Sequence, residues 1–199
     1  MPEKPYSMSF TTAALLKMES RQIASLYLSM GNWGQVRDKA VEQNTIQARS
    51  AVSLKRLTRE CISRLRLLPD DLISLICHGN SIEENAALWF GVCLRYPFIG
   101  EFAVEVLHEK FVRRDSVLGH GDYDRFFSRK AEWMESLEQL SHATRSKQRQ
   151  VLFRMLKDAD LLSDSGDIQP IVLTENLVQV LRNNPGLPRL IFPADVSHL

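Results

Sequence analysis

No stretch of this sequence approaches the ~20 consecutive apolar residues that cross a bilayer, so no membrane association is expected. The opening MPEKPYSMSF also lacks the apolar centre of a signal peptide, and a cytoplasmic location is the corresponding expectation. Cysteine is scarce. Cys61, Cys77 and Cys93 are odd in number and form no CxxC pair, which reads as reduced, mostly buried thiols rather than a disulfide framework or a metal site. There is no GxxxxGK[ST] phosphate loop, no GxGxxG following a strand, no HExxH and no GxSxG elbow. Cys77-His78 is a dipeptide whose side chains diverge by about 100° on a helix. His120 with Asp122 and Asp124 reads as a polar lead into a helix cap, and His108 and His142 have no partner at ligand spacing. The expectation is a protein that is not an enzyme and has neither cofactor nor metal.

Excess charge is scarce too. With Lys+Arg 25 against Asp+Glu 24 the net charge is only +1, so any attraction to nucleic acid must be local. The distribution is uneven. Thr45 to Leu68 holds Arg49, Lys55, Arg56, Arg59, Arg64 and Arg66 against Glu60 alone, whereas Pro69 to Asp122 is predominantly acidic.

What is present is helical periodicity over nearly the whole chain, and 199 residues suffice for one large or two small domains. The fold class expected is mainly α: an all-helical N-terminal domain over 1–118 and a winged helix-turn-helix-like domain with a short β-hairpin over 119–199. The boundary is placed at Gly119-His120-Gly121.

Trp133 to Thr174 carries the winged-helix pattern. A short helix with Trp133, Met134, Leu137 and Leu140 at apolar spacing leads to a polar turn at Ser141 to Ala143. A second helix, capped by Thr144, contains Arg145, Lys147, Arg149, Arg154 and Lys157 and no acid before Asp158. A Ser/Asp/Gly turn and a strand candidate, Gln169 to Leu173, follow, completing the order helix, turn, basic helix, hairpin. At about 100° per residue, Leu152, Met155, Leu156 and Ala159 share one side of the second helix. Lys147, Gln150, Arg154 and Lys157 share the other, and these are the groups that contact phosphates and base edges.

The other basic segment is a long third helix, expected from Ile46 or Ala48 to Leu68. Leu54, Leu57, Cys61, Leu65 and Leu68 line one face, and Arg49, Lys55, Arg56, Arg59 and Arg66 occupy an outer arc. It is preceded by a first helix capped by Ser9, Thr11 or Thr12 and ending at Gly31-Asn32, then a second from Trp33 to Glu42. It is followed by a helix with Pro69 at its first position, a Ser81/Glu84 capping box, and a break at Pro97. Phe98 to Val112 then turns Phe102, Val106 and Phe111 inward. Thr174 caps a last helix, and Leu190-Ile191-Phe192 reads equally as a strand or a docked tail.

The segments PYSMSFTTAALLKMES, NTIQARSAVSLKRLTRECISRL and LSHATRSKQRQVLFRMLKDADLLSDSGDIQP together resemble the BrxA family of bacterial BREX (bacteriophage exclusion) defence systems. The resemblance spans essentially the whole chain. It implies a non-enzymatic part of a multi-protein system that marks self by DNA methylation and restricts phage, with other BREX proteins and double-stranded DNA as partners. The family has also been likened to an RNA-binding antitermination protein. Two readings follow: a duplex-binding module with little sequence preference, or an adaptor assembling other defence components. RNA binding is a third alternative, weakened because no aromatic residues are interleaved with the arginines of the third helix.

Overall fold

The computed structural model describes residues 6–10 and 14–196. The candidate caps Thr11 and Thr12 lie outside the described residues. The helices are α1 (Lys17–Met30), α2 (Trp33–Glu42), α3 (Ala51–Leu65), α4 (Asp70–His78), α5 (Ser81–Arg95) and α6 (Pro97–Phe102). A π-helical stretch, Ala103–His108, leads into α7 (Glu109–Val112). Then come α8 (His120–Ala131), α9 (Glu135–Glu138), α10 (His142–Asp158) and α11 (Glu175–Asn183). The chain forms two compact units, and each combines segments distant in sequence.

The first unit comprises residues 15–95 and 173–187, with α1 to α5 and α11. Its helix ends follow local chemistry. Gly31 at φ 67° ends α1 by donating its N–H to the Tyr27 carbonyl, and Asn32 caps α2 by accepting from the N–H groups of Gly34 and Gln35. Helix α1 starts later than expected. The residue before it is Leu16, left-handed at φ 61° with no side-chain cap, rather than Ser9.

Helix α3 is shorter than predicted for a physical reason. Asn44 and Gln47 adopt φ 47° and 51°, which no continuous right-handed helix contains, and the Asn44 side chain bonds the N–H and carbonyl of Ala48. The helix therefore begins at Ala51 behind a Ser50 cap. Arg49 precedes it and Arg66 is its C-cap.

Pro69 stands one position before α4 rather than inside it. The capping box of α5 is Asn80/Glu83, one residue earlier than the Ser81/Glu84 pair predicted. Glycine is required at position 79, where a Cβ would lie 2.6 Å from the Leu75 carbonyl oxygen and 2.7 Å from the Glu83 carboxylate. Glu83 also clips α11 to α5: it accepts from the Thr174 hydroxyl at 2.7 Å and the Asn176 amide at 2.9 Å. Burial pushes its pKa up, but these donors and the Asn80 N–H outweigh burial and hold it below the ordinary carboxylate value.

The second unit comprises the described residues of 1–14, 96–172 and 188–199. Its core is aromatic. Phe98 meets Phe126 edge-on at 5.1 Å between ring centroids, Phe102 meets Phe126 at 5.4 Å, and Phe10 packs on Tyr96 at 5.4 Å. The π-helical turn inserts an extra residue per turn and rotates the register. Leu107 and His108 are buried there, while Val106 and Phe111, expected inward, are half-buried.

Gly119 to Gly121 is not a free linker, because α8 starts at His120 with Asp122 accepting from the Gly119 N–H at 2.8 Å. Helix α9 is a single turn. Leu137 is buried beneath it, but Trp133, expected inward, is 83% exposed. Helix α10 is capped by Ser141, which accepts from the Thr144 N–H at 3.2 Å, three residues before the predicted cap.

Among the described residues there is no strand or sheet. Gln169–Leu173 is not a strand, and pairing is limited to two isolated bridges, Val117 with Asp167 and Leu162 with Ile168. The Leu190–Phe192 tail docks on this unit's core, with the Phe192 carbonyl 2.7 Å from Nδ1 of buried His108.

Candidate nucleic-acid interface

The outer face of α3 is built by a simple division. Leu54, Thr58, Cys61 and Leu65 are buried on the inner side. Lys55, Arg56, Arg59 and Arg66 are exposed, as is Arg49 just before the helix. At 100° per residue, Val52, Lys55, Arg56, Arg59 and Arg66 fall within roughly 60° of one line, and Val52 is 79% exposed. Among the described residues, none of these cations has an ion-pair partner. Arg64 behaves differently: it is buried, pairs with Glu60 at 2.7 Å and reaches the Leu15 carbonyl. An arginine can belong to a basic segment and still serve the interior.

Helix α10 buries Gln148, Val151, Leu152, Phe153, Met155 and Leu156, as its apolar spacing requires. Its cations divide into two groups. Arg145 contacts Asp124 on α8 through carboxylate and carbonyl and lies 4.4 Å from the centroid of the Phe127 ring. Arg149 pairs with the same Asp124 at 2.6 Å, and Lys157 with Asp164 at 3.1 Å. Lys147, Gln150 and Arg154 remain exposed.

Gln150, Phe153, Arg154 and Lys157 line an open groove of about 430 Å³ together with His120 and the turn Asp164 to Gly166. The signal missed by sequence reasoning was Asp124. It lies on a different helix from the arginines it engages, so the acid-free run of α10 gave no sign of it.

The other candidate chemistry is dispersed. His120 packs edge-on against Phe153 at 4.8 Å, Asp122 pairs with Arg125, and Asp124 is engaged as above. Among the described residues, no group of three or more His, Cys, Asp or Glu is placed to hold a metal ion. Burial pushes the Cys61 thiol up to about 12, only partly offset by the Ser20 hydroxyl, and Cys93 is also raised by burial. Neither is a ready nucleophile. Among the described residues, no single helix is long and apolar enough to cross a membrane.

The fold and these surfaces define a class: a mainly helical protein whose polar chemistry is displayed as exposed cations on helix faces rather than converged in a pocket. The BrxA family model matches residues 4–185. The chain belongs to the BrxA family. It is 26% identical over 183 residues to the BREX protein BrxA of Bacillus cereus (strain H3081.97), covering 90% of this chain and 92% of that protein. It is 30% identical over 95 residues to the BREX protein BrxA of Escherichia coli O9:H4 (strain HS), covering 48% and 45%. Its fold matches the crystal structure of an uncharacterized protein from Magnetospirillum magneticum with a TM-score of 0.81 at 19% identity, over 96% of this chain and 100% of that one.

Proposed function

We propose that this protein is a cytoplasmic, double-stranded DNA-binding component of a BREX phage-defence system, acting beside other BREX proteins and performing no covalent chemistry itself. The observation that carries the reading is the outer face of α3, where Lys55, Arg56, Arg59 and Arg66, with Arg49 before them, stand exposed and unpaired among the described residues. Parallel to a duplex, cations a helical turn or two apart neutralise successive phosphates and release counterions. Such interactions fix position without reading sequence, so sequence preference is weak.

Helix α10 supplies a second contact of winged-helix type. Helices α8, α9 and α10 are followed by a turn at Ser163 to Asp167 that is tied back to residues 116–118, since Leu118 N–H donates to Gly166 and Ile168 N–H to Ser116. That order supports a rudimentary wing beside the end of α10. Lys147 and Arg154 are two turns apart, about 10 Å, and with Gln150 they suit a groove about 12 Å wide. Asp164 and Asp167 oppose deep insertion of the wing, because they would meet phosphates.

RNA is the weaker alternative, since Val52 rather than an aromatic residue accompanies the α3 cations. The test is anisotropy of a fluorescent duplex, a single strand and an RNA hairpin across a salt series. Duplex binding that falls steeply with salt supports the proposal; a folded protein that binds no duplex at low salt defeats it.

A further inference from the structure

Trp133 is out of character for a helical fold of this size. The other two tryptophans are used internally: Trp89 is fully buried, and Trp33 stacks on Tyr27 at 3.9 Å. Trp133 stands 83% exposed in the turn between α8 and α9. With Tyr6, Glu101, Glu105, Lys130 and Met134 it lines an open groove of about 570 Å³. That groove already holds one cation. Lys130 Nζ lies 2.5 Å from Glu101 and 2.7 Å from Glu105, and 5.3 Å from the centroid of the Phe126 ring.

The chain beside Trp133 is acidic and unneutralised. Glu132, Glu135 and Glu138 are exposed, and none has a cation partner among the described residues. A solvent-exposed indole contributes little to its own fold, whereas tryptophan is enriched among the residues that anchor protein interfaces. Its ring is the best aromatic partner for a cation, and a planar guanidinium can stack on it while pairing with carboxylates. The same carboxylates repel phosphate, which excludes nucleic acid as the occupant.

We propose that the Trp133 groove is a docking site for an arginine-bearing segment of a second protein, with a guanidinium stacked on Trp133 and neighbouring basic residues paired with Glu132, Glu135 and Glu138. The protein would thereby engage a basic partner through one surface and a duplex through others. This inference stands whether or not the DNA reading does.

The test is calorimetric titration of the full-length protein with a short peptide alternating arginine and glycine, and with its lysine and glutamate counterparts. The arginine peptide is expected to bind, more tightly than the lysine peptide, and the glutamate peptide not at all. Trp133→Ala, and separately a Glu132→Gln/Glu135→Gln/Glu138→Gln variant, should each weaken arginine-peptide binding about fivefold or more. Both should melt like the native protein and bind duplex unchanged. Arginine-peptide binding that is absent, or unaltered by Trp133→Ala, overturns the proposal. So does concentration-dependent self-association of the native protein that Trp133→Ala abolishes, because the occupant is then a second copy of this chain.

Discussion

Helices α3 and α10 are alike in sequence and unlike in structure. Both are rich in Lys and Arg, both carry an apolar stripe, and neither has an acid in its first turn. On α10, Arg145 and Arg149 are held by Asp124 and Lys157 by Asp164, whereas the outward cations of α3 have no such partners among the described residues. Composition therefore counts charges, while the neighbouring elements decide which of them remain available to a ligand. The acid within α3 illustrates the point. Glu60 is spent on buried Arg64, so it does not pair with the outer cations.

The largest expected effect comes from erasing the free face. Arg56→Glu/Arg59→Glu/Arg66→Glu should weaken duplex binding on the order of a hundredfold at low salt, at roughly 1 kcal/mol or more per cation reversed. Equilibrium anisotropy measures this directly, with circular dichroism to verify folding.

A second variant acts on the unit that carries α3 rather than on its cations. Glu83→Ala strips the acceptor shared by Thr174, Asn176 and the Asn80 N–H, and should cost roughly 2 kcal/mol in urea unfolding. Because the folded-state pKa of Glu83 lies below its unfolded value of about 4.3, its contribution is complete above that value. It is lost as pH falls through the lower folded-state pKa. The native protein should thus lose more stability on acidification than Glu83→Gln does, and equal losses would remove Glu83 from the account.

Making α10 resemble α3 is the converse manipulation. Asp124→Ala frees Arg149 and removes the carboxylate facing Arg145, which keeps its bond to the residue-124 carbonyl, and should cost about 1 kcal/mol of stability, the pairs being partly solvated. It should also raise duplex affinity a fewfold by removing one negative charge and releasing Arg149, a gain readable in the same anisotropy assay. The smallest change is expected from Asp164→Asn, which removes the negative charge paired with Lys157 while leaving the residue-164 carbonyl as an acceptor, and should tighten duplex binding about twofold. A loss of affinity in that variant would mean that the clip positions Lys157 for DNA instead of withholding it.

Much of the helical framework was legible in the chain because its determinants are local. Gly31 stops α1, Pro97 starts α6, Thr174 caps α11, and the Leu54/Cys61/Leu65 stripe faces inward as its period demands. The errors arose where another interaction outweighed a local preference. Thr144 can cap a helix, but Ser141 does so, and the two hydroxyls bond each other at 2.9 Å. The β-rich stretch after α10 stays irregular. Gln169 N–H donates to Leu161 and closes the isolated Leu162–Ile168 bridge, but the pairing goes no further, because Ile171 N–H donates to Pro193.

The candidate site was legible as a set of cations but not as a set of available ones. Distinguishing Arg154 from Arg149 requires knowing that Asp124 projects from α8, which no spacing within α10 reveals. Trp133 misleads for the opposite reason. Its spacing with Leu137 and Leu140 suggests a helix face, but α9 is only one turn long and begins after it.

The most direct test of the central claim, that unpaired cations on α3 carry duplex binding, is the salt dependence of affinity. The native protein, the α3 triple reversal and Lys147→Glu/Arg154→Glu would be compared on one duplex. If the α3 face engages phosphates, the slope of log K against log salt should become shallower by about 0.9 for each phosphate no longer neutralised, and more so in the α3 variant than in the α10 variant. An α3 variant that is folded and retains the native affinity and slope would contradict the account.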